Sequence, residues 1–238
     1  MGPIEQVSRR PSPASAAAED PSAIATSDLR LIIGNKNYSS WSMRGWMLLR
    51  FAELPFTEVS VDLYRPDSRE RVVGLGGQTG LVPVLVADGH PIWDTLAITE
   101  YLFERCPRIW PSDQLDRARA RSYAGEVHSG LNAVRAAMPC NTRARDRIAD
   151  RTEEVDAEIE RVAEIWRSNE GGWLFGDFCA ADIMFAPVAA RFRTYGVSLE
   201  GPALDYWRRL LAHPLAEEWF DLGEAEPMVI EQFELPHR

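Results

Sequence analysis

An α/β module followed by an all-α module is the fold class this sequence predicts, and three observations predict it. Short apolar runs alternate with helical periodicity over residues 29–105, only helical periodicity continues from residue 113, and the stretch Cys106-Pro-Arg-Ile-Trp-Pro-Ser112 breaks the chain between them. The domain plan is therefore a tail at 1–28, an α/β domain at 29–105, a linker at 106–112 and a helical domain at 113–238.

The elements follow in order. Residues 29–33, Leu-Arg-Leu-Ile-Ile, form a short strand rich in β-branched residues and closed by Gly34. Ser39 and Ser40 precede residues 41–52, whose apolar positions recur at helical spacing behind a serine cap. Pro55 stops that helix, and residues 56–63 alternate well enough for a second strand, parallel to the first through a crossover. Residues 66–73 suit a short irregular helix, and residues 74–80 hold four glycines and read as loop. Residues 82–87 and 90–93 form a hairpin about Asp88-Gly89, and Asp94 or Thr95 caps a helix to about Arg105. In the second module residues 113–140, 147–169, 180–195 and 202–212 carry helical periodicity.

Composition narrows the function classes. Of 238 residues, 45% are hydrophobic and 26% charged, and the formal net charge is -10 with arginines scattered among acids. A nucleic-acid surface needs a basic stripe that this pattern lacks, and no apolar run approaches the roughly 18 residues that a membrane span requires. Cys106, Cys140 and Cys179 form no Cys-x-x-Cys or Cys/His spacing. An odd count without such spacing points away from a metal site or disulfide framework and toward a reducing, cytoplasmic setting. Residues 1–28, rich in Ala, Ser and Pro without an apolar signal core, read as a disordered tail.

The first module has the strand and helix order of a thioredoxin-like fold, with Ser39-Ser-Trp-Ser42 where a redox dithiol would sit. A serine there performs no disulfide exchange, but it can donate a hydrogen bond to another molecule's thiolate beside a helix N-terminus. Three segments carry a more specific resemblance: Asn37-Tyr-Ser-Ser-Trp-Ser-Met-Arg44, Gly80-Leu-Val-Pro-Val-Leu85 and Trp93-Asp-Thr-Leu-Ala-Ile98. In order and spacing they resemble the glutathione-site segments of glutathione transferases, nearest to bacterial serine-type, zeta-like members. Gly176-Asp-Phe-Cys-Ala-Ala-Asp-Ile183 resembles the helix-capping motif of that family's helical bundle, with Cys179 where Ser or Thr is usual and Asp182 at the capping-box position.

The resemblance implies glutathione as co-substrate, without a metal, and a homodimer. It implies Ser39 as the residue stabilising the thiolate, with Ser40 and Ser42 as alternatives, since a serine before an apolar helix also serves simply as its cap. Val82, before a cis Pro83, would pair with the cysteinyl backbone; Asp94 and Thr95 would receive the γ-glutamyl group. Leu81 stands where Lys or Gln usually meets the glycyl end, leaving Gln78, Thr79 or Arg71, of which Gln78 is included in the site. Tyr123, Val127, His128, Leu131 and Arg135 share one helical face, a stripe that serves equally as core, dimer contact or substrate wall. His128, Leu131 and Arg135 are the pocket candidates. The expected activity is conjugation of glutathione to small, mostly apolar electrophiles. Its rivals are a maleylacetoacetate-type cis-trans isomerase, in which Trp41 would replace a usual cysteine, and a binding or scaffold protein without turnover.

Overall fold

The computed structural model describes residues 28–169 and 171–236, so all but Asp28 of the expected tail lies outside the described residues. The first domain comprises β1 (Leu29–Ile33), α1 (Ser40–Ala52), β2 (Thr57–Ser60), α2 (Ser68–Gly74), β3 (Val84–Ala87), β4 (His90–Ile92) and α3 (Thr95–Phe103). The sheet order is β2-β1-β3-β4, with β1 parallel to β2 and the β3-β4 hairpin antiparallel to β1. This is the thioredoxin-like arrangement the element order predicts. Strand alternation divides the sheet's side chains between two layers. Leu29, Leu31, Ile33, Leu85 and Ala87 pack with Met43, Trp46 and Met47 of α1 and Ile98 and Leu102 of α3. Ile32, Val84 and Val86 pack with Val72 of α2.

The helical domain contains α4 (Gln114–Ser129), α5 (Asn132–Ala137), α6 (Glu153–Arg167), α7 (Ala180–Tyr195), α8 (Gly201–Leu211) and α9 (Pro214–Glu224). The helix expected over 113–140 is broken: Gly130 ends α4 and Leu131 takes φ 57° before α5. Leu131 is thereby only 7% exposed and joins the core rather than the cleft wall, which corrects its assignment to the pocket. α9, which residues 202–212 alone did not foretell, starts on a His213 cap with Pro214 in its first turn and buries Trp219 and Phe220.

α7 is the central helix, buried at nearly every position, which is why its sequence is apolar all round rather than striped. Its start carries the family-like capping motif. Asp182 Oδ2 accepts the Cys179 N–H at 3.0 Å, and Oδ1 accepts the Leu174 N–H at 3.2 Å and the Tyr206 hydroxyl at 2.7 Å. Among the described residues no helix is long and apolar enough to cross a membrane.

Candidate functional site

The two domains meet at a cleft of about 940 Å³, and the start of α1 forms its floor. The loop before α1 is held from the helical side. Asn37 Nδ2 donates to Asn141 Oδ1 at 3.0 Å, and its Oδ1 accepts from the Thr142 hydroxyl at 3.1 Å and the Arg143 N–H at 2.9 Å. From the C-terminal segment, Glu226 accepts the Lys36 and Asn37 N–H groups, both at 3.1 Å, and Glu234 accepts the Tyr38 hydroxyl at 2.6 Å. These bonds fix the backbone on which the serines sit.

The structure separates the three serines. Ser39 is the N-cap of α1: its Oγ accepts the Ser42 N–H at 3.2 Å and its hydroxyl bonds Ser42 Oγ at 2.8 Å. Ser42 Oγ in turn accepts the Gly34 N–H at 2.9 Å and is fully buried outside the cleft lining. Ser40, in the first helical turn, accepts from Arg191 Nη2 at 3.2 Å. Ser39 and Ser40 both line the cleft. The serine that caps α1 is Ser39, so the residue expected at the thiolate is itself the helix cap.

The other wall comes from the hairpin and α3. The Val82–Pro83 peptide is cis, as expected, and Val82 and Pro83 line the cleft just before the β3 ladder, whose pairing begins at Val84. Asp94 caps α3, its Oδ1 accepting the Leu96 N–H at 2.9 Å, while its Oδ2 lies 3.0 Å from His128 Nε2 of α4. Thr95, also on the cleft, is fully buried, and its Oγ1 finds no hydrogen-bond partner among the described residues. Buried polar atoms in native folds are almost always paired, so an orphan hydroxyl beside a cleft marks a place for a ligand group.

Gln78 is exposed and absent from the lining, and Arg71 is absent too; Thr79, Arg65 and Arg69 line that end, with the Arg69 stem packed against Gly80. Positive φ at Gly80, 67°, and the room its missing side chain leaves let Arg69 lie there. On the helical side His128 packs edge-on against Trp41 at 5.0 Å, and Arg135 reaches the cleft from α5. Sequence reasoning missed Tyr38, Arg69, Arg191 and Phe233. Arg191 lies far along the chain in α7, Phe233 in a short 3-10 turn (Glu231–Phe233), and no local pattern signals either.

Residues 38–105 match the family model described as glutathione S-transferase, N-terminal domain. A probable maleylacetoacetate isomerase of Caenorhabditis elegans is 32% identical over 98 residues, covering 40% of this chain and 45% of that protein. Glutathione S-transferase U16 of Arabidopsis thaliana is 30% identical over 145 residues, covering 58% of this chain and 61% of that protein. The matches thus span about half the length of these curated relatives. A glutathione transferase homologue from Burkholderia, solved with bound glutathione, superposes with TM-score 0.63 at 23% identity over 84% of this chain and 99% of that one. An omega transferase of Trametes versicolor gives TM-score 0.66 at 17% identity, covering 82% and 94% of the two chains. These structures share the two-domain fold, and residues 38–105 are similar to the N-terminal domain of glutathione S-transferases.

Proposed function

We propose that this protein is a glutathione transferase that lays glutathione along the N-terminal wall of the cleft and activates its thiol with Ser39. The observation that carries the reading is the partnerless Thr95 Oγ1, buried at the N-terminus of α3. A helix N-terminus favours an anion, and a hydroxyl there completes a seat for the γ-glutamyl carboxylate. Asp94, the preceding residue and also on the cleft, offers a carboxylate for the ammonium, and Val82 offers backbone N–H and C=O groups for strand-like pairing with the cysteinyl unit. Arg69, with Arg65, suits the glycyl carboxylate in place of the absent Lys or Gln, a role that passes from Gln78.

At the sulfur, a hydroxyl–hydroxyl bond runs in either direction. With Ser42 donating to Ser39, the Ser39 proton is free to point at the thiolate, backed by the Gly34 N–H on Ser42. A free thiol has a pKa of about 8.5. One hydrogen bond to the charged form contributes about 1.5–3 kcal/mol and the helix terminus about 0.3–1. Together these lower the pKa by about one to three units, since one unit is about 1.4 kcal/mol. The thiolate then attacks an electrophilic carbon: the S–C bond forms, the leaving group departs with its electron pair, and the thiol proton goes to solvent. A cytoplasmic homodimer is the assembly that fits this reading.

Thr95→Val tests it with two readouts of opposite sign. The substitution removes a partnerless buried hydroxyl, so the melting temperature of the free protein is expected to stay level or rise. Glutathione affinity by calorimetry is expected to fall about tenfold or more, the worth of one bond to a carboxylate. Wild-type protein that takes up no glutathione at millimolar concentration would sink the reading.

A further inference from the structure

The glutathione reading leaves the arginines on the helical side of the cleft without a use, and this side is strongly cationic. Arg135 and Arg191 line it, and Arg44 lies fully buried behind. The Arg44 and Arg135 guanidiniums each sit 4.7 Å from the Trp41 ring, so the indole spaces the two. Arg44 bonds only carbonyls, those of Met184 at 3.0 Å and Ser40 at 3.4 Å, and its Nη2 is buried without a partner. Arg191, 6% exposed, bonds the Met138 carbonyl at 2.8 Å besides Ser40 Oγ.

None of the three forms an ion pair among the described residues. Glu158, which does favour the Arg135 charge at a distance, has its two oxygens on the Ala133 and Val134 N–H groups at 3.2 and 2.7 Å. Burial, then mutual repulsion, holds Arg44 well below the usual guanidinium range and Arg135 at about 10. Buried charge without a counter-ion is costly, and an anion entering the cleft removes that cost. The remaining cleft is aromatic: Tyr64 and Phe233 meet edge to face at 4.8 Å, and Tyr38 stands 6.0 Å from Phe233.

We infer that the second substrate is an aromatic electrophile bearing a carboxylate, which Arg135 and Arg191 hold beside Ser40 while the ring packs against the aromatic wall. This replaces the mostly apolar electrophile that the sequence suggested. The conjugation step rests on the glutathione reading above; the carboxylate subsite does not. With a chloronitrobenzoate, the sulfur–aryl bond forms, the carbon–chlorine bond breaks, chloride leaves with the bonding pair and the thiol proton passes to solvent.

The experiment compares 4-chloro-3-nitrobenzoate with its methyl ester, which keeps the ring and removes the charge. Each kcat/KM is divided by the uncatalysed rate with glutathione, so that the different reactivity of the rings cancels. Wild type is expected to favour the acid at least tenfold, and Arg135→Gln and Arg191→Gln to bring the ratio toward one. Taking a ratio within each variant removes losses due to folding alone. No preference for the acid in wild type, or a preference that survives both substitutions, overturns the inference. If neither compound is turned over, the transferase reading fails, and titration of the two compounds without glutathione decides the subsite. Tighter binding of the acid that Arg135→Gln abolishes supports it, and equal or absent binding overturns it.

Discussion

Ser39→Gly is expected to lower kcat/KM for conjugation about 10- to 150-fold and to shift the titration of the bound thiol to higher pH, with a fall in melting temperature of a few degrees because the buried Ser42 donors lose their acceptor. The rate effect is one charge-assisted hydrogen bond of about 1.5–3 kcal/mol at about 1.4 kcal/mol per decade. Glycine is the informative replacement because Ser39 also caps α1. Alanine at a cap costs about 1 kcal/mol, glycine only a few tenths, so glycine removes the hydroxyl at less cost to the helix. Ser40→Ala takes the acceptor from Arg191 Nη2, not the donor assigned to the sulfur, and leaves the thiol titration in place. Thiolate absorbance against pH checks all of this. The reverse pattern moves the activating role to Ser40; no shift in either variant removes serine activation altogether.

How far the sequence discloses this site depends on how local each signal is. β1 and α1 carry their own punctuation, a β-branched run closed by Gly34 and a serine cap, and they form where expected. The second strand is shorter than residues 56–63 suggest, because it is an edge strand paired only with β1, and beyond Ser60 the Leu63 N–H turns to Asn35 Oδ1 instead. The periodicity over 113–140 runs through a real break at Gly130 and Leu131, since the apolar positions resume on the core side after the kink. That is how Leu131 came to be placed on the cleft. Val82, Pro83, Asp94, Thr95, His128 and Arg135 lie in segments whose spacing is fixed by a strand, a cap or a helix, and the fold brings all six to one cleft. The glycyl end and the cationic side were hidden for the opposite reason. Arg69 faces the cleft only because Gly80 gives it room, and Arg191 reaches Ser40 across 151 positions of chain.

Asp182→Ala is expected to lower stability by about 3 kcal/mol or more, a fall in melting temperature of roughly 6–12 °C for a chain of this size. The carboxylate joins the Leu174 segment, the start of α7 and Tyr206 of α8 through three buried donors, and alanine leaves each without an acceptor. An unpaired buried donor costs about 1–3 kcal/mol. Cys179, a weaker cap than Ser or Thr, makes α7 lean further on this residue, and α7 carries Arg191 beneath the cleft. Burial raises the Asp182 carboxyl above its ordinary range despite its three donors. The folded state therefore holds this proton more tightly than the unfolded chain does. The group's contribution is fully present below the unfolded value of about 3.9 and is lost as pH rises through the folded one. Asp182→Asn keeps the shape and one acceptor but sets an amide donor against the Cys179 N–H, so it should cost less than alanine and abolish this pH dependence. Urea unfolding of the three proteins between pH 4 and pH 8 measures both effects. A stability loss under 1 kcal/mol for Asp182→Ala would mean that the three donors find other partners and that the motif is not what anchors α7.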